Sequence, residues 1–382
     1  MPFNQQIGRL GKVFIGNEGA GTYGTAATLV AGDAWRHLEV RLTASNNRAN
    51  SEERRGTPGL LDRFSRHITA GFDARGYLSP SGTIGTAPEA KKLLKAGMGV
   101  EHLSAGTTTV ASGASSTVFT VQAGQGASFT LNRMIVIRRV ANSSKAEPRL
   151  ITNIATDTIT VAPALGGTPA SGDTVKGGVT YTFANDLPNA LTIAKYLSNI
   201  SHQLNGAAVQ SLGITFDGNG EVMLRASGPG KEKIRPAQAQ PGTFTTIGSP
   251  VTGIVGGFLF NGTAYKITNF DWQLDNAQEL VNDTFGTDRA EDMYREGMRL
   301  VTLGLNARQT DDVAVVTAAE AAGDNTLLVH AGNTEGKIVG IYCPRAEFDI
   351  PDEDDPAGAI RWTFRGMAKE TVGNDESYLF TC

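Results

Sequence analysis

The sequence predicts an all-β fold, a duplicated β-sandwich with short flanking helices and a small inserted β barrel or sandwich. The first observation is composition, because 46 of the 382 residues are glycine and 40 are threonine. Glycine is costly inside helices and useful in turns, and threonine favours the pleated strand. The second observation is that apolar residues recur at every second position in most segments. The third is that one group of strands and loops occurs twice.

Eleven segments alternate between apolar and polar residues and are bounded by Gly, Asn, Asp or Pro, which predicts strands. They are 37–42, 67–74, 159–165, 179–183, 191–197, 209–216, 221–228, 267–274, 298–307, 337–343 and 360–368. Two segments predict helices. Ala87–Gly97 carries Pro88 in its first turn, and Asp311–Gly323 is rich in alanine, begins with aspartates and ends at glycine.

Sliding the chain against itself indicates a duplication. ITAGFDARG (68–76) matches VTLGLNARQ (301–309), and HLEVRLTASN (37–46) matches NFDWQLDNAQ (269–278). In each copy the first strand leads into a long polar loop, 46–63 in one and 276–296 in the other, and then into the paired strand and a helix. GEVMLRASGPGKE (220–232) also resembles GAIRWTFRGMAKE near the end of the chain. We therefore predict two repeats of one β domain.

The lengths of the copies locate an insertion. The second copy, 233–382, has 150 residues, whereas residues 1–232 are about 80 too many for one copy. The excess lies at 103–178, which is rich in Thr, Ser, Gly and Ala and alternates strictly, so we expect a small β module inserted in a loop. The predicted domains are 1–102 with 179–232, the inserted module 103–178, and 233–382.

The net charge is −4, which leaves no net positive field to hold nucleic acid or an anionic membrane non-specifically. We find no apolar run of about 18 residues and no secretory signal at the start, which predicts no membrane span and synthesis in the cytoplasm. Cys343 and Cys382 are too few and too far apart for a disulfide scaffold or a zinc site. We expect two free thiols.

A glycine motif is the one pattern typical of a cofactor site. Gly19, Gly21 and Gly24 have the spacing of a dinucleotide-binding loop, and Glu39 follows about 20 residues later. The segment then breaks at Gly32 and becomes a strand, so the helix that a pyrophosphate requires is missing. We predict a glycine-rich arm or turn. Since the five histidines and the serines match no metal or nucleophile motif, we predict no catalytic residue, no metal, no cofactor and no enzymatic activity.

Two charged segments allow two interpretations each. The acidic run from Asp349 to Asp355 lacks the residues of a calcium loop; it is either a solvated turn or a surface that repels a polyanion. The segment 51–55 is either an exposed loop or one that pairs with a neighbouring subunit. The candidates for contacts between subunits in the two long loops are Arg48, Glu52, Glu53, Arg54, Arg55, Asp283, Asp288 and Arg289.

The chain resembles the major tail tube proteins of long-tailed, non-contractile bacteriophages (siphophages). The likeness is carried by TYGTAAT (22–28), LNGAAVQSLGITFDGNGEVMLRASGPGKE (204–232), the stretch 267–312, and YCPRAEFDIP with the following GAIRWTFRGMAKE. It covers most of the chain apart from 103–178. The resemblance implies a β-sandwich flanked by a helix, with a loop that reaches into the adjacent ring, and rings that stack into a hollow tube for the genome.

The resemblance also implies an oligomeric state, binding partners and a location in the virion. Two tube domains in one chain point to a homotrimeric ring of pseudo-hexameric symmetry. The expected partners are further copies of the chain, the tape measure, tail terminator and distal tail proteins, and double-stranded DNA that passes through the lumen without specific binding. No membrane partner is expected, and the protein is expected in the virion tail after assembly in the host cytoplasm. The alternative function is a carbohydrate-binding or adhesion module with Tyr181, Trp272 or Trp362 stacking on sugar.

Overall fold

The computed structural model describes residues 11–19, 21, 23–52, 62–142, 145–186, 189–197, 200–236, 239–244, 247–308, 314–321, 323–354 and 361–382. These residues form 28 strands and two α-helices, and the predicted all-β class is confirmed. Neither described helix is long and apolar enough to cross a membrane.

The elements fall into four stretches of chain. The first contains β1 (Lys12–Asn17), β2 (Ala34–Trp35), β3 (Glu39–Asn50), β4 (Arg63–Tyr77), α1 (Lys91–Met98) and β5 (Gly99–Leu103). The second contains β6 (Thr107–Gly113), β7 (Val118–Val121), β8 (Met134–Arg138), β9 (Ala146–Ala155), β10 (Thr158–Ala162) and β11 (Thr174–Gly177). The third contains β12 (Val179–Phe183), β13 (Leu191–Leu197), β14 (Ile200–Ala207), β15 (Ser211–Asp217), β16 (Met223–Gly230) and β17 (Glu232–Ile234).

The fourth stretch begins with β18 (Gly257–Phe260), β19 (Thr263–Ala264), β20 (Ile267–Asp275), β21 (Gln278–Leu280), β22 (Met293–Arg295) and β23 (Leu300–Arg308). It ends with α2 (Ala314–Glu320), β24 (Asn325–Ala331), β25 (Val339–Phe348), β26 (Asp352–Asp354), β27 (Arg361–Ala368) and β28 (Tyr378–Thr381). Short 3₁₀ turns lie at Ala31–Asp33, Gly126–Ser128, Val140–Asn142 and Gly253–Val255.

Seven antiparallel strands form a front layer that contains residues from both halves of the chain. Their spatial order is β3, β4, β16, β15, β20, β23 and β27. Along these strands the apolar residues of the alternating pattern are buried, for example Leu212, Ile214 and Phe216 on β15 and Phe270 and Trp272 on β20. The polar residues between them face outward. The period of two in the sequence therefore decides which face meets the core.

Two sheets cover the buried face of the front layer. One, in the order β17-β14-β13-β1-β2, packs behind β3, β4 and β16. The other contains β18, β24, β25, β28, β12 and β5; it is continuous with the front layer through the pairing of β25 with β27, folds back, and packs behind β20, β23 and β27. One apolar core lies between the layers. The Trp272 indole N–H donates to Ser377 Oγ at 3.2 Å across this core, so this large buried ring also satisfies its polar atom.

The inserted segment forms a closed barrel of six strands in the order β10-β7-β6-β11-β8-β9. Its own core includes Phe119, Ile135 and Ile159. The intervening residues of β8, Met134 and Val136, point out of the barrel and pack on the second back sheet, in a cluster that also contains Leu328, Tyr342, Ile338, Tyr378 and Phe380. The barrel is therefore fixed on the side of the sandwich away from the front layer.

Several expectations about loops and helices are corrected. Residues predicted as the loop 46–63 continue β3 to Asn50 and begin β4 at Arg63, and 276–296 contains the short hairpin of β21 and β22. The predicted solvated turn in the acidic run is partly strand, because Asp352–Asp354 pair with β27. Both helices are shorter than predicted, and 311–313 lie outside the described residues.

The glycine motif surrounds a buried carboxylate. Glu18, 2% exposed, accepts hydrogen bonds from Gly24 N–H at 2.7 Å, Gly206 N–H at 2.8 Å and Thr192 Oγ1 at 3.0 Å. Burial raises the pKa of Glu18, and these three hydrogen bonds oppose that rise. The described part of the segment then leads into the 3₁₀ turn and β2, so Glu18 anchors a glycine-rich turn to β13 and β14.

We predict that Glu18→Gln lowers the free energy of unfolding by roughly 1–3 kcal/mol, because an amide N–H₂ would replace an acceptor that faces buried donors. Urea unfolding followed by tryptophan fluorescence measures the change. Glu370→Gln, at an exposed glutamate, is the control. Equal stability of the two variants would contradict the anchoring role of Glu18.

Candidate assembly interface

The two halves of the chain meet in the front layer at a seam between β15 and β20. Seven antiparallel residue pairs form it, from Ser211 opposite Asp275 to Asp217 opposite Asn269. On the core side Ile214 lies opposite Trp272, and both are buried. The seam therefore combines backbone hydrogen bonds with a shared apolar core.

Similar strand neighbours lie on both sides of the seam. In the first half β3 pairs with β4 and β4 with β16; in the second half β20 pairs with β23 and β23 with β27. When the two halves are aligned by sequence, core-facing residues of one half match core-facing residues of the other. The register of β3 with β4, however, differs from that of β20 with β23. Gly71 lies opposite Thr43, whereas Gly304 lies opposite Asp271, four residues from the position aligned with Thr43.

The first half of the layer ends in an open edge, β3. Hydrogen bonds on β16 establish which backbone groups of β3 are open: the carbonyls of Ser227 and Pro229 face β15, because they accept from the N–H groups of Gln210 and Ala208. The residue pairs across β4 carry this alternation to β3. Backbone groups alternate in direction along each strand, so those of Val40, Leu42 and Ala44 on β3 point away from β4. Among the described residues no strand pairs with β3 on that side.

Two lysines from the back sheet reach this edge. Lys195 Nζ donates to the Val40 carbonyl at 2.9 Å, and Lys233 Nζ donates to the Leu42 carbonyl at 2.6 Å. Both lysines are half-buried. Charged side chains on an edge strand hinder its pairing with other chains, so these contacts protect β3.

The second half ends in another edge, which is open along β26 but not along most of β25, because β25 pairs with β24 and β28 as far as Ala346. Ala346–Phe348 and Asp352–Asp354 pair with β27 on one side. No described strand pairs with β26 on the other side. Ile350 between them is 75% exposed, and the carboxylates of Asp349, Asp352 and Glu353 lie along the same edge.

Beyond the core, β3 and β4 continue as a two-stranded arm. Residues 45–48 and 63–66 are exposed, including Phe64 at 52%. Asn47 Nδ2 donates to the His67 carbonyl at 2.9 Å, and Ser51 N–H donates to the Asp62 carbonyl at 2.9 Å. Isolated two-stranded ribbons are marginally stable in water, so an arm of this length is typical of a segment that contacts a partner.

A second loop, 281–292, extends from the same end of the front layer. The Asp288 carbonyl accepts from Ile68 N–H on the arm at 2.8 Å, and Arg289 forms an ion pair with Glu232. The aromatic ring of Phe285 at its tip is fully exposed.

The outward face of the front layer is polar and of mixed charge. Five carboxylates and six guanidinium groups lie on it: Glu39, Asp73, Asp217, Asp271, Asp275, Arg41, Arg75, Arg225, Arg308, Arg361 and Arg365. Arg225 and Asp73 form an ion pair at 3.0 Å. A hollow of about 920 Å³ crosses this face over β4, β16, β15 and β20. The face therefore has charges of both signs and almost no net charge.

The predicted contact residues fall on the arm and on the second loop. Arg48 and Glu52 are exposed on the arm; Glu53, Arg54 and Arg55 lie outside the described residues. Asp283 and Asp288 are exposed, while Arg289 is engaged with Glu232 inside the chain. Sequence reasoning missed Phe285 and the edge at β26; the acidic run and an aromatic residue before a glycine were the available signals.

The residues considered for other chemistry are placed differently. Tyr181 and Trp272 are buried, and Trp362 packs against the core, so these rings do not form a surface on which a sugar could stack. Both cysteines are free and buried, and burial raises the pKa of each thiol. Within the described parts of the chain, no cluster of three or more His, Cys, Asp or Glu is placed to hold a metal ion.

Comparison with known proteins identifies the family. The model of the phage tail tube protein family matches residues 8–375, nearly the whole chain. No curated protein matches the sequence. The chain therefore belongs to the phage tail tube protein family, and the resemblance found in the sequence is confirmed.

Proposed function

We propose that this member of the tail tube family is the subunit of a hollow siphophage tail tube, in which closed rings stack into the conduit for genome delivery. The observation that carries the proposal is the seam between β15 and β20. The seam joins β15, the last strand of the group β3, β4, β16 and β15, to β20, the first strand of the similar group β20, β23, β27 and β26. The first strand of the first group, β3, and the last strand of the second group, β26, lie at the open ends of the layer.

The seam serves as a template for the contact between chains. In the seam, the backbone groups of Phe270, Trp272 and Leu274 face β15; those of Val40, Leu42 and Ala44 face the open side of β3 in the same way. We infer that β3 of one chain pairs with the edge from Phe348 to Asp354 of the next. Repetition of this heterologous contact closes a ring if the rotation per chain is a simple fraction of a turn.

The charges of the two edges favour this pairing. Arg41 and Arg48 are exposed on β3 beside one exposed carboxylate, Glu39, whereas Asp349, Asp352 and Glu353 all lie on the other edge. Opposite charges across a strand pair are stabilising, and they also orient chains before contact. The acidic run is then part of an interface, a third interpretation beside the two from the sequence.

Two tube-like domains per chain favour a homotrimer with pseudo-hexameric symmetry. The division into 1–102 with 179–232 and 233–382 stays our proposal, supported by the equivalent strand neighbours on both sides of the seam. The register difference of four residues between the two hairpins means that the six positions of such a ring would be similar but not identical.

The outward face of the front layer would line the bore. Its interspersed charges give no net attraction for phosphates, so double-stranded DNA could slide without specific binding. The barrel at 107–177 lies on the opposite side of the sandwich, where it would decorate the tube exterior. The role is structural and not enzymatic. Further copies and the tape measure, tail terminator and distal tail proteins are the proposed partners, assembled in the host cytoplasm into the virion tail.

We expect the purified protein to form rings of three chains. Three chains of 40.2 kDa give 121 kDa per ring, which native mass spectrometry measures, and negative-stain microscopy should show six lobes around a hole. Six chains per ring would contradict the two-domain arrangement. A persistent monomer at high concentration that binds glycans would instead support the adhesion module.

We predict that Ala44→Pro prevents ring formation and leaves a folded monomer. Proline removes an N–H that points to the open side of β3, and the side chain of Ala44 is exposed, so pairing with β4 is retained. Light scattering and circular dichroism separate assembly from folding. Ala44→Ser, which keeps the N–H, should assemble as the wild type does; normal rings from Ala44→Pro would refute pairing through β3.

A further inference from the structure

The two ends of the front-layer strands carry different apolar features. The loop 281–292 follows Asp275, the last residue of β20. A cleft of about 550 Å³ lies at the other end, beside Phe216 at the end of β15 and Ile267 at the start of β20. We propose that Phe285 of one subunit inserts into this cleft of a second copy in the next ring, an inference that rests on the proposed tube.

No residue in the described part of the chain covers the side chain of Phe285. Its side chain is fully exposed at the turn that it forms with Gly286, whose φ of 95° is in the region that favours glycine. A large exposed aromatic side chain is unfavourable in water unless a partner covers it. Aromatic residues that fill a partner's pocket supply much of the affinity of protein interfaces.

The rest of the loop is held in place. Besides the contacts of Asp288 with Ile68 and of Arg289 with Glu232, Val281 N–H donates to the Asp292 carbonyl at 2.9 Å, and Glu291 N–H donates to the Val281 carbonyl at 3.1 Å. The tip is therefore oriented before any partner arrives. Little conformational entropy would be lost on insertion.

The cleft is suited to an aromatic ring. Apolar side chains form much of its wall, among them Phe216, Ile254, Phe258 and Val329, while Asp217 and Lys266 contribute charged groups. Ile254 is 69% exposed and the adjacent Val255 is 48% exposed, so the rim is apolar too.

The position of the two features identifies the occupant as another copy of the chain. The length of β20 separates the loop from the cleft, so Phe285 lies at the opposite end of the strand from the cleft of its own subunit. A contact between two different surfaces at opposite ends does not close on itself, and its repetition produces a filament. The exposed Phe64 on the arm, at the same end as Phe285, adds apolar surface to that contact.

Substitution of Phe285 tests the stacking contact separately from ring formation. We expect Phe285→Ser to form rings but to raise the protein concentration required for tubes by roughly tenfold or more, whereas Phe285→Leu should be close to wild type. Val140→Ser, at an exposed apolar residue of the barrel, is the matched control. Normal tubes from Phe285→Ser would overturn the inference and leave the tube intact; failure of the wild type to form rings would instead refute the proposed function.

A disulfide gives a second, direct measurement. Phe285→Cys combined with Ile254→Cys should form cross-linked ladders under oxidation in assembled tubes and none in isolated rings. The native Cys343 and Cys382 are both buried, so they do not compete. Absence of ladders in tubes of the double variant would count against insertion of Phe285.

A separate observation concerns control of assembly at β3. We propose that Lys195 and Lys233 form a latch that slows ring closure, because their ammonium groups occupy carbonyls that an incoming strand needs as acceptors. This too rests on the proposed function. The lysines lie on β13 and β17 of the same chain, so the latch is present before any neighbour arrives.

Removal of the latch should accelerate assembly. Lys195→Met with Lys233→Met keeps the apolar stems and removes the donors, and we expect a lag at least roughly threefold shorter in light scattering of freshly diluted protein. Lys12→Met, at an exposed lysine that contacts Gln240, is the control. An unchanged or longer lag would refute the latch, and the same wild-type trace reports whether assembly occurs at all.

Discussion

The structure depends on the demand of backbone N–H and C=O groups for partners at the edges of a sheet. Inside the chain this demand is met at the seam, where β15 and β20 pair and join strands from both halves of the chain into one layer. At the two ends of the layer the same groups are open, or are held by lysines at β3. An edge that would be an aggregation hazard in a monomer becomes, in a tube subunit, the means of assembly.

The alternation of side chains gives the layer two different faces. The apolar face binds the two back sheets through one core, and the hydrogen bond from Trp272 to Ser377 spans it. The other face carries charges of both signs with little net charge, and a hollow crosses it. A single strand pattern therefore supplies both the stability of the sandwich and a surface suited to a bore through which DNA moves.

The arm, the loop with Phe285 and the barrel lie at different sides of the front layer. The arm and the loop with Phe285 extend from one end of the strands, and the apolar cleft lies at the other. The barrel is inserted between β5 and β12, two strands of a back sheet, so it lies away from the polar face. In the proposed tube, lateral contacts, axial contacts and exterior decoration would thus use separate parts of one chain.

The sequence by itself determined the all-β class and the inward and outward residues of the main strands, because a period of two is a local property. The family followed from the resemblance of several segments, which the family model confirms. The sequence did not determine the length of the arm, since polar residues 46–50 look like a loop until β4 pairs with them. Nor did it reveal that Asp352–Asp354 form an edge, that Lys195 and Lys233 reach β3, or that Phe285 lies opposite an apolar cleft. Each of these depends on which distant strands become neighbours, and pairing between residues far apart in the chain leaves little trace in local composition.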